Sequence, residues 1–98
     1  MDYSQLSDFE INSAVSMALL DKSANPSARY VAIGNYCNNP ADAWPIIVEN
    51  KIGLTPPMHD ENWEAMTFDK FGYVNKNEYN VNPLRAAMIV FLLMKEKK

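Results

Sequence analysis

The sequence predicts an α+β fold in which three helices pack with a small antiparallel sheet of two to three short strands from the middle of the chain. Apolar residues recur at helical spacing near both ends, Asn39-Pro40 and Asn82-Pro83 mark helix starts, and residues 53–82 mix short apolar runs with turn residues. At 98 residues, 48% hydrophobic and 21% charged, the chain fits a single domain over residues 1–98.

The first helix is predicted over residues 8–20. Ser7 can cap it, and Glu10 lies three residues on, which completes a capping box. The side chains of Asp8, Glu10 and Asn12 are expected to face solvent. The predicted core stripe consists of Ile11, Ala14, Val15, Ala18 and Leu19.

The next segment carries weaker signals. Residues 21–28 contain an Asn-Pro pair among small polar residues, which predicts a loop. Residues 29–36 favour either a short strand or an extended connector, because Tyr30 and Val31 prefer β structure and Gly34 ends the run.

The second helix is predicted over residues 40–51, closed by Gly53, and it contains Pro45. A proline inside a helix removes one donor and crowds the carbonyl four residues back, here that of Ala41, at a cost of roughly 3 kcal/mol. We therefore expect a kink or a loose first turn. Trp44, just before the proline, either anchors the core or contributes to a recognition surface.

Strands are predicted near residues 63–68 and 78–81, with a third over 52–55. The third helix begins at Asn82-Pro83 and extends to the C-terminal lysines. Between residues 84 and 94 only Arg85 is polar, so this helix is either central or forms a homodimer through one face. Met88, Phe91 and Leu92 of this helix are predicted to be deeply buried, because they recur at helical spacing.

Arg85 has an unexpected charge for its position. It occupies the third position of its helix, where a cation opposes the helix dipole, whereas Asp42 occupies the same position of the second helix with the favourable sign. Asp42 is therefore the expected partner of Arg85, in an intramolecular ion pair or as part of a binding site. As a hypothesis, Asp42, Trp44 and Arg85 form one partner-binding patch, since Trp and Arg are enriched at binding hot spots.

Composition excludes several classes of function. The net charge of −3 and the pI near 5.0 argue against double-stranded nucleic acid as a partner. Cys37 is the one cysteine, so no intramolecular disulfide forms, and without a Cys/His cluster no metal or other cofactor is predicted. The apolar run 86–94 is too short to span a membrane, and the N-terminus lacks an export signal. A cytoplasmic location is expected.

Three blocks carry a family resemblance: "MDYSQLSDFEIN" at the start, "YCNNPADAWPIIVENKIGL" in the middle and "NPLRAAMIVFLLM" near the end. With them the chain resembles the NinX-like proteins, small proteins without an assigned activity that are encoded by lambdoid phages and prophages of enteric bacteria. The resemblance covers nearly the whole chain and is weakest over residues 56–81. It implies expression in the bacterial cytoplasm during phage growth and supplies no catalytic residues.

Three functions compete at this point. The first is a non-enzymatic accessory protein that binds a host or phage protein. The second is a nucleic-acid-associated factor in phage recombination or replication, whose aromatic side chains would stack on unpaired bases. The third, an enzyme or small-ligand binder using Cys37, His59, Asp60 or Glu61, lacks a ligand pair or a triad, so no enzyme is predicted. The aromatic residues in question are Trp63, Phe68, Phe71, Tyr73 and Tyr79.

Overall fold

Three helices and a three-stranded antiparallel sheet form the fold, which confirms the predicted α+β class. The structure, a computed structural model, describes residues 2–21 and 33–96, except the side chains of Leu20 and Asp21. After a 3-10 turn at Tyr3–Gln5, the elements are α1 (Asp8–Asp21), α2 (Pro40–Glu49), β1 (Gly53–Thr55), β2 (Trp63–Phe68), β3 (Val74–Asn80) and α3 (Pro83–Lys95). Residues 22–32 lie outside the described residues, and with them nearly all of the loop predicted over 21–28 and the first half of the strand or extended connector predicted over 29–36. The described half, residues 33–36, forms no strand.

The sheet has the order β1-β2-β3, with Met66 of β2 opposite Gly53 on one side and Asn77 on the other. The predicted strands at 63–68 and 52–55 are confirmed. The strand predicted at 78–81 instead begins at Val74, because pairing along β2 overrides the low strand propensity of its Asn and Lys residues. A bulge near Phe68 leaves Asn75 as the extra residue of β3.

The third helix is the central element of the core. All seven residues from Ala86 to Leu92 are buried, which confirms the prediction for Met88, Phe91 and Leu92, each at most 4% exposed. The helix packs on the sheet and also contacts α1 and α2. The apolar surface that suggested a homodimer through this helix is thus already covered within one chain.

The two faces of the sheet differ in what covers them. Ala65 belongs to the core cluster together with α3, and Leu54, its neighbour on β1, packs against that cluster. Since side chains alternate along a strand, Glu64, Met66 and Phe68 point to the other face. We call this second side the outer face of the sheet.

The start of α1 follows the sequence prediction, with one correction. The Ser7 amide donates to the Glu10 carboxylate at 2.9 Å, and the Glu10 amide donates to the Ser7 hydroxyl at 3.1 Å, so the capping box is confirmed. The expectation that Asn12 faces solvent is wrong, because this side chain is 8% exposed. Its oxygen accepts a hydrogen bond at 3.0 Å from the buried Cys37 amide, a donor that needs a partner.

The end of α2 also differs from the prediction. The Ile52 amide donates to the Ile47 carbonyl and the Lys51 amide to the Val48 carbonyl, the two bonds of a Schellman motif. The residue in the left-handed conformation is Lys51, with φ of 55°, while the expected terminator, Gly53, instead begins β1. Gly53 was predicted to end α2 because a glycine normally occupies the left-handed position after a helix, which Lys51 occupies here.

Candidate functional site

Arg85 forms an ion pair within the chain, but its partner is not the residue that the sequence suggested. One guanidinium nitrogen lies 2.7 Å from a carboxylate oxygen of Asp8, and another donates to the carbonyls of Leu6 at 2.6 Å and Ser4 at 3.2 Å. The arginine side chain is 13% exposed. The prediction that Asp42 is its partner is wrong, because the Asp42 carboxylate instead accepts from the Asn35 amide at 3.0 Å.

A network of asparagine side chains joins the starts of the three helices. Asn38 donates to the second carboxylate oxygen of Asp8 at 3.1 Å, and Asn82 donates to the Cys37 carbonyl at 2.7 Å and to Asn38 at 3.3 Å. The hydrogen bond from Asn38 and the charge and hydrogen bond of Arg85 lower the pKa of Asp8. Both Asn-Pro helix starts therefore lie on one side of the domain.

Trp44 lies on the surface. The interpretation that it anchors the core is wrong, because this residue is 59% exposed and the buried residues of α2 are Ala43, Ile46 and Ile47. Val48, one turn further on, is also exposed, so these two side chains form a short apolar strip on the outside of α2. Asp42 and Arg85 have separate contacts, and the described residues show no ion pair that joins them into the hypothesised patch.

The candidate catalytic residues lie in two different environments, one buried and one exposed. Cys37 is fully buried, and burial, together with the charge of Asp8, raises the pKa of its thiol to about 11 although Arg85 acts in the opposite direction. A protonated, inaccessible thiol is a poor nucleophile. His59, Asp60 and Glu61 are exposed in the connection between β1 and β2. Within residues 2–21 and 33–96, no group of three or more His, Cys, Asp or Glu side chains is placed to hold a metal ion.

Large exposed side chains are concentrated on the hairpin formed by β2 and β3. We call this set the aromatic hairpin surface, and each member is between 50% and 74% exposed. Four of the five are aromatic residues that the sequence singled out, and the fifth residue of that group, Trp63, is half-buried. The aromatic hairpin surface consists of Phe68, Phe71, Tyr73, Val74 and Tyr79.

The turn that presents this surface is held by Asp69. Its carboxylate accepts from the amides of Phe71 at 2.9 Å and Tyr73 at 3.0 Å, and its own amide donates to the Tyr73 carbonyl at 2.8 Å. Gly72 has a φ of 89°, a conformation that glycine adopts without strain. The aromatic side chains at the tip are therefore carried by an ordered turn.

The segment that forms the sheet is acidic. Residues 53–80 contain five carboxylates and two lysines, so their net charge of −3 equals that of the whole chain. The charge of Glu64, opposite Tyr79 on the outer face, is the main cause of a raised pKa of Tyr79. Lys70 lies 5.3 Å from the ring centre of Phe71. The region of the chain that carries the aromatic hairpin surface is thus net acidic.

The fold and this surface define a small α+β protein with a covered central helix and an exposed, acidic aromatic hairpin. In a comparison with known families, residues 2–95 match the family described as Bacteriophage P22, NinX, and the chain belongs to that family. It is accordingly a phage accessory protein. No curated protein matches the chain, and no solved structure does. No helix in the described part is both long and apolar enough to cross a membrane.

Proposed function

We propose that this phage accessory protein is non-enzymatic and acts in the cytoplasm of the bacterial host, where it binds a host or phage protein through the aromatic hairpin surface. The observation that carries the proposal is the exposure of Phe68, Phe71, Tyr73 and Tyr79 on one hairpin. Exposure of four aromatic side chains to water on one hairpin is unfavourable for the isolated chain. Exposed apolar patches with polar rims mark interaction sites.

The chemistry of these side chains suits a protein partner. Tyrosine and phenylalanine are enriched in protein interfaces, where they bury large areas at a small cost in side-chain entropy. The ordered turn at Asp69 lowers that cost further, because the aromatic side chains at the tip are already presented before binding. We therefore expect Phe71 and Tyr73 to be the strongest contributors to binding.

Photocrosslinking tests the proposal. A photoreactive amino acid at position 71 or 73 is expected to crosslink a protein in phage-infected cells, whereas the same group at Met17, an exposed residue of α1, is not. After the partner is identified, Phe71→Ala is expected to weaken its binding to the purified chain by at least 1 kcal/mol. Trp44→Ala is the matched control, since it removes an exposed aromatic from another surface. Loss of binding in Trp44→Ala with full binding in Phe71→Ala would move the site to α2.

Binding to single-stranded nucleic acid is the second candidate function. It is favoured by the exposed aromatics and by Lys70 next to Phe71, since aromatic rings stack on bases and lysines contact phosphates. The acidic residues of the same hairpin oppose it. A crosslink from position 71 to an oligonucleotide, with binding that falls steeply as salt is raised, would replace the protein partner by this alternative.

A further inference from the structure

Within the described residues, the edge of β3 that faces away from β2 carries backbone groups without a neighbouring strand. β3 is hydrogen-bonded to β2 on one side, and within the described residues no strand lies on its other side. It is seven residues long, whereas the opposite edge strand, β1, has three. A long open edge offers a row of N–H and C=O groups to a further strand.

Two charged side chains of this edge strand are half-buried. Lys76 lies opposite Thr67 and Glu78 opposite Ala65, and both β2 residues are buried on the side of the sheet that faces α3. Neither Lys76 nor Glu78 forms an ion pair with another described residue. Desolvation raises the pKa of Glu78, the charge of Asp2 adds to this effect, and the charge of Arg85 opposes it. A cation placed beside Glu78 would therefore be stabilising.

The order of these charges makes β3 complementary to itself. Asn77 is the middle residue of Val74–Asn80, with Lys76 on one side and Glu78 on the other. When two such strands pair in antiparallel orientation about Asn77, Lys76 lies opposite Glu78 of the partner subunit, and the reverse pair forms as well. Cross-strand pairs of opposite charge stabilise a sheet, and like charges in the same positions destabilise it.

We propose that two copies of this chain associate through their β3 edges, in antiparallel register centred on Asn77, to form a six-stranded sheet with a two-fold axis. Such an interface is isologous, as in the majority of homodimers. A lone lysine on an edge strand usually prevents pairing. Here the lysine and the glutamate lie symmetrically about Asn77. In this register each of them lies opposite a residue of opposite charge on the second strand, whereas in the neighbouring registers it does not. The contact uses the edge of β3, and Phe68, Phe71 and Tyr73 of the aromatic hairpin surface lie outside that strand.

Charge reversal tests the register. Sedimentation equilibrium of the full chain is expected to show a concentration-dependent dimer. K76E or E78K alone turns two attractive pairs into two repulsive ones, so each is expected to weaken dimerisation roughly tenfold or more. The double variant K76E/E78K restores opposite charges and is expected to recover the wild-type dimer. K70E is the matched control, because it makes the same charge change in the hairpin turn, outside the paired strands. Circular dichroism verifies that each variant is folded.

Disulfide trapping provides a second test that does not depend on charge. With Asn77→Cys, the two introduced thiols lie directly opposite each other and are expected to form an intermolecular disulfide on mild oxidation. Asn75→Cys is the control, since its counterpart in the same register lies four residues away along the strand. The buried Cys37 thiol does not compete. A chain that stays monomeric at about 1 mM, a dimer unaffected by K76E, or equal trapping at positions 75 and 77 would overturn the proposal. The proposal would also be overturned if the chain alone stays monomeric and β3 pairs with a strand of another protein.

Discussion

The guanidinium of Arg85, in the first turn of α3, lies 2.7 Å from the carboxylate of Asp8, the first residue of α1. The same arginine binds the carbonyls of Leu6 and Ser4, so one side chain ties the N-terminal segment to the central helix. The contact also accounts for a cation at a helix start. The charge of Asp8 offsets that of Arg85, and Asp8 itself has the favourable sign for the start of α1.

Replacing Arg85 by alanine is expected to destabilise the fold by about 2 kcal/mol, because it removes hydrogen bonds to one carboxylate and two carbonyls. Urea unfolding measures the change in the free energy of unfolding. Arg85→Lys, which keeps the charge but cannot reach all three acceptors, should lose less. Binding to a partner by the still-folded alanine variant is expected to be unchanged. Lost binding with unchanged stability would show instead that Arg85 belongs to a binding site.

Asp8 should make stability depend on pH in the acid range. The hydrogen bond from Asn38, followed by the hydrogen bond and charge of Arg85, lowers its pKa in the folded state below the unfolded value of about 3.9. The stabilisation is therefore present above about pH 4 and is lost as the pH falls through the folded pKa. The difference in unfolding free energy between wild type and Asp8→Asn should shrink in that window. A difference that stays constant from pH 6 to pH 2 would contradict the linkage.

Local signals in the sequence predicted local structure well. The capping box at Ser7, the Asn-Pro start of α3 and the all-round apolar character of that helix each depend on neighbouring residues, and the structure confirms them. The partner of Arg85 could not be predicted in this way. Asp8 lies 77 positions away, and only the packing of α1 against α3 brings the two together.

The sequence left Trp44 between the core and the surface, because α2 carries two apolar stripes. Trp44 and Val48 follow helical spacing, as do Ala43 and Ile47, and the two stripes are about 100° apart. Helical spacing alone does not show which of the two stripes is buried, and the structure buries the second. The exposure of the aromatic residues on the hairpin could not be predicted either, because the sequence shows their type and not which of them are covered by other residues.

Cys37 is expected to be unreactive while the chain is folded. The side chain is fully buried and its pKa is raised to about 11, so both access and thiolate formation are suppressed at neutral pH. A thiol reagent such as Ellman's reagent should label the chain only in denaturant. A Phe9→Cys variant provides an exposed thiol as the positive control. Rapid labelling of native wild-type protein would mean that the 35–37 segment opens readily.

Lys51→Gly is expected to stabilise the protein by about 0.5 to 1 kcal/mol. Lys51 has a φ of 55°, where a side chain costs roughly 1–2 kcal/mol, and the greater freedom of glycine in the unfolded chain cancels part of the gain. Urea unfolding measures the difference. Lys51→Ala separates the backbone effect from the loss of charge, because alanine keeps the strain. An equal gain in both variants would assign the effect to the charge of Lys51 instead.

Pro45→Ala is expected to raise stability by about 1 to 2 kcal/mol. Pro45 lies inside α2, where it cannot donate to the Ala41 carbonyl, and both residues are exposed, so this carbonyl is open to water. Alanine restores the helical bond, although the unfolded chain gains freedom, which offsets part of the benefit. Pro40→Ala is the matched control, since proline is favourable at the first helical position and its removal should bring no gain. If Pro45→Ala gives none either, contacts of the ring in the groove between α1 and α2 offset its cost. If it stabilises the fold but weakens partner binding, the proline serves the exposed surface around Trp44.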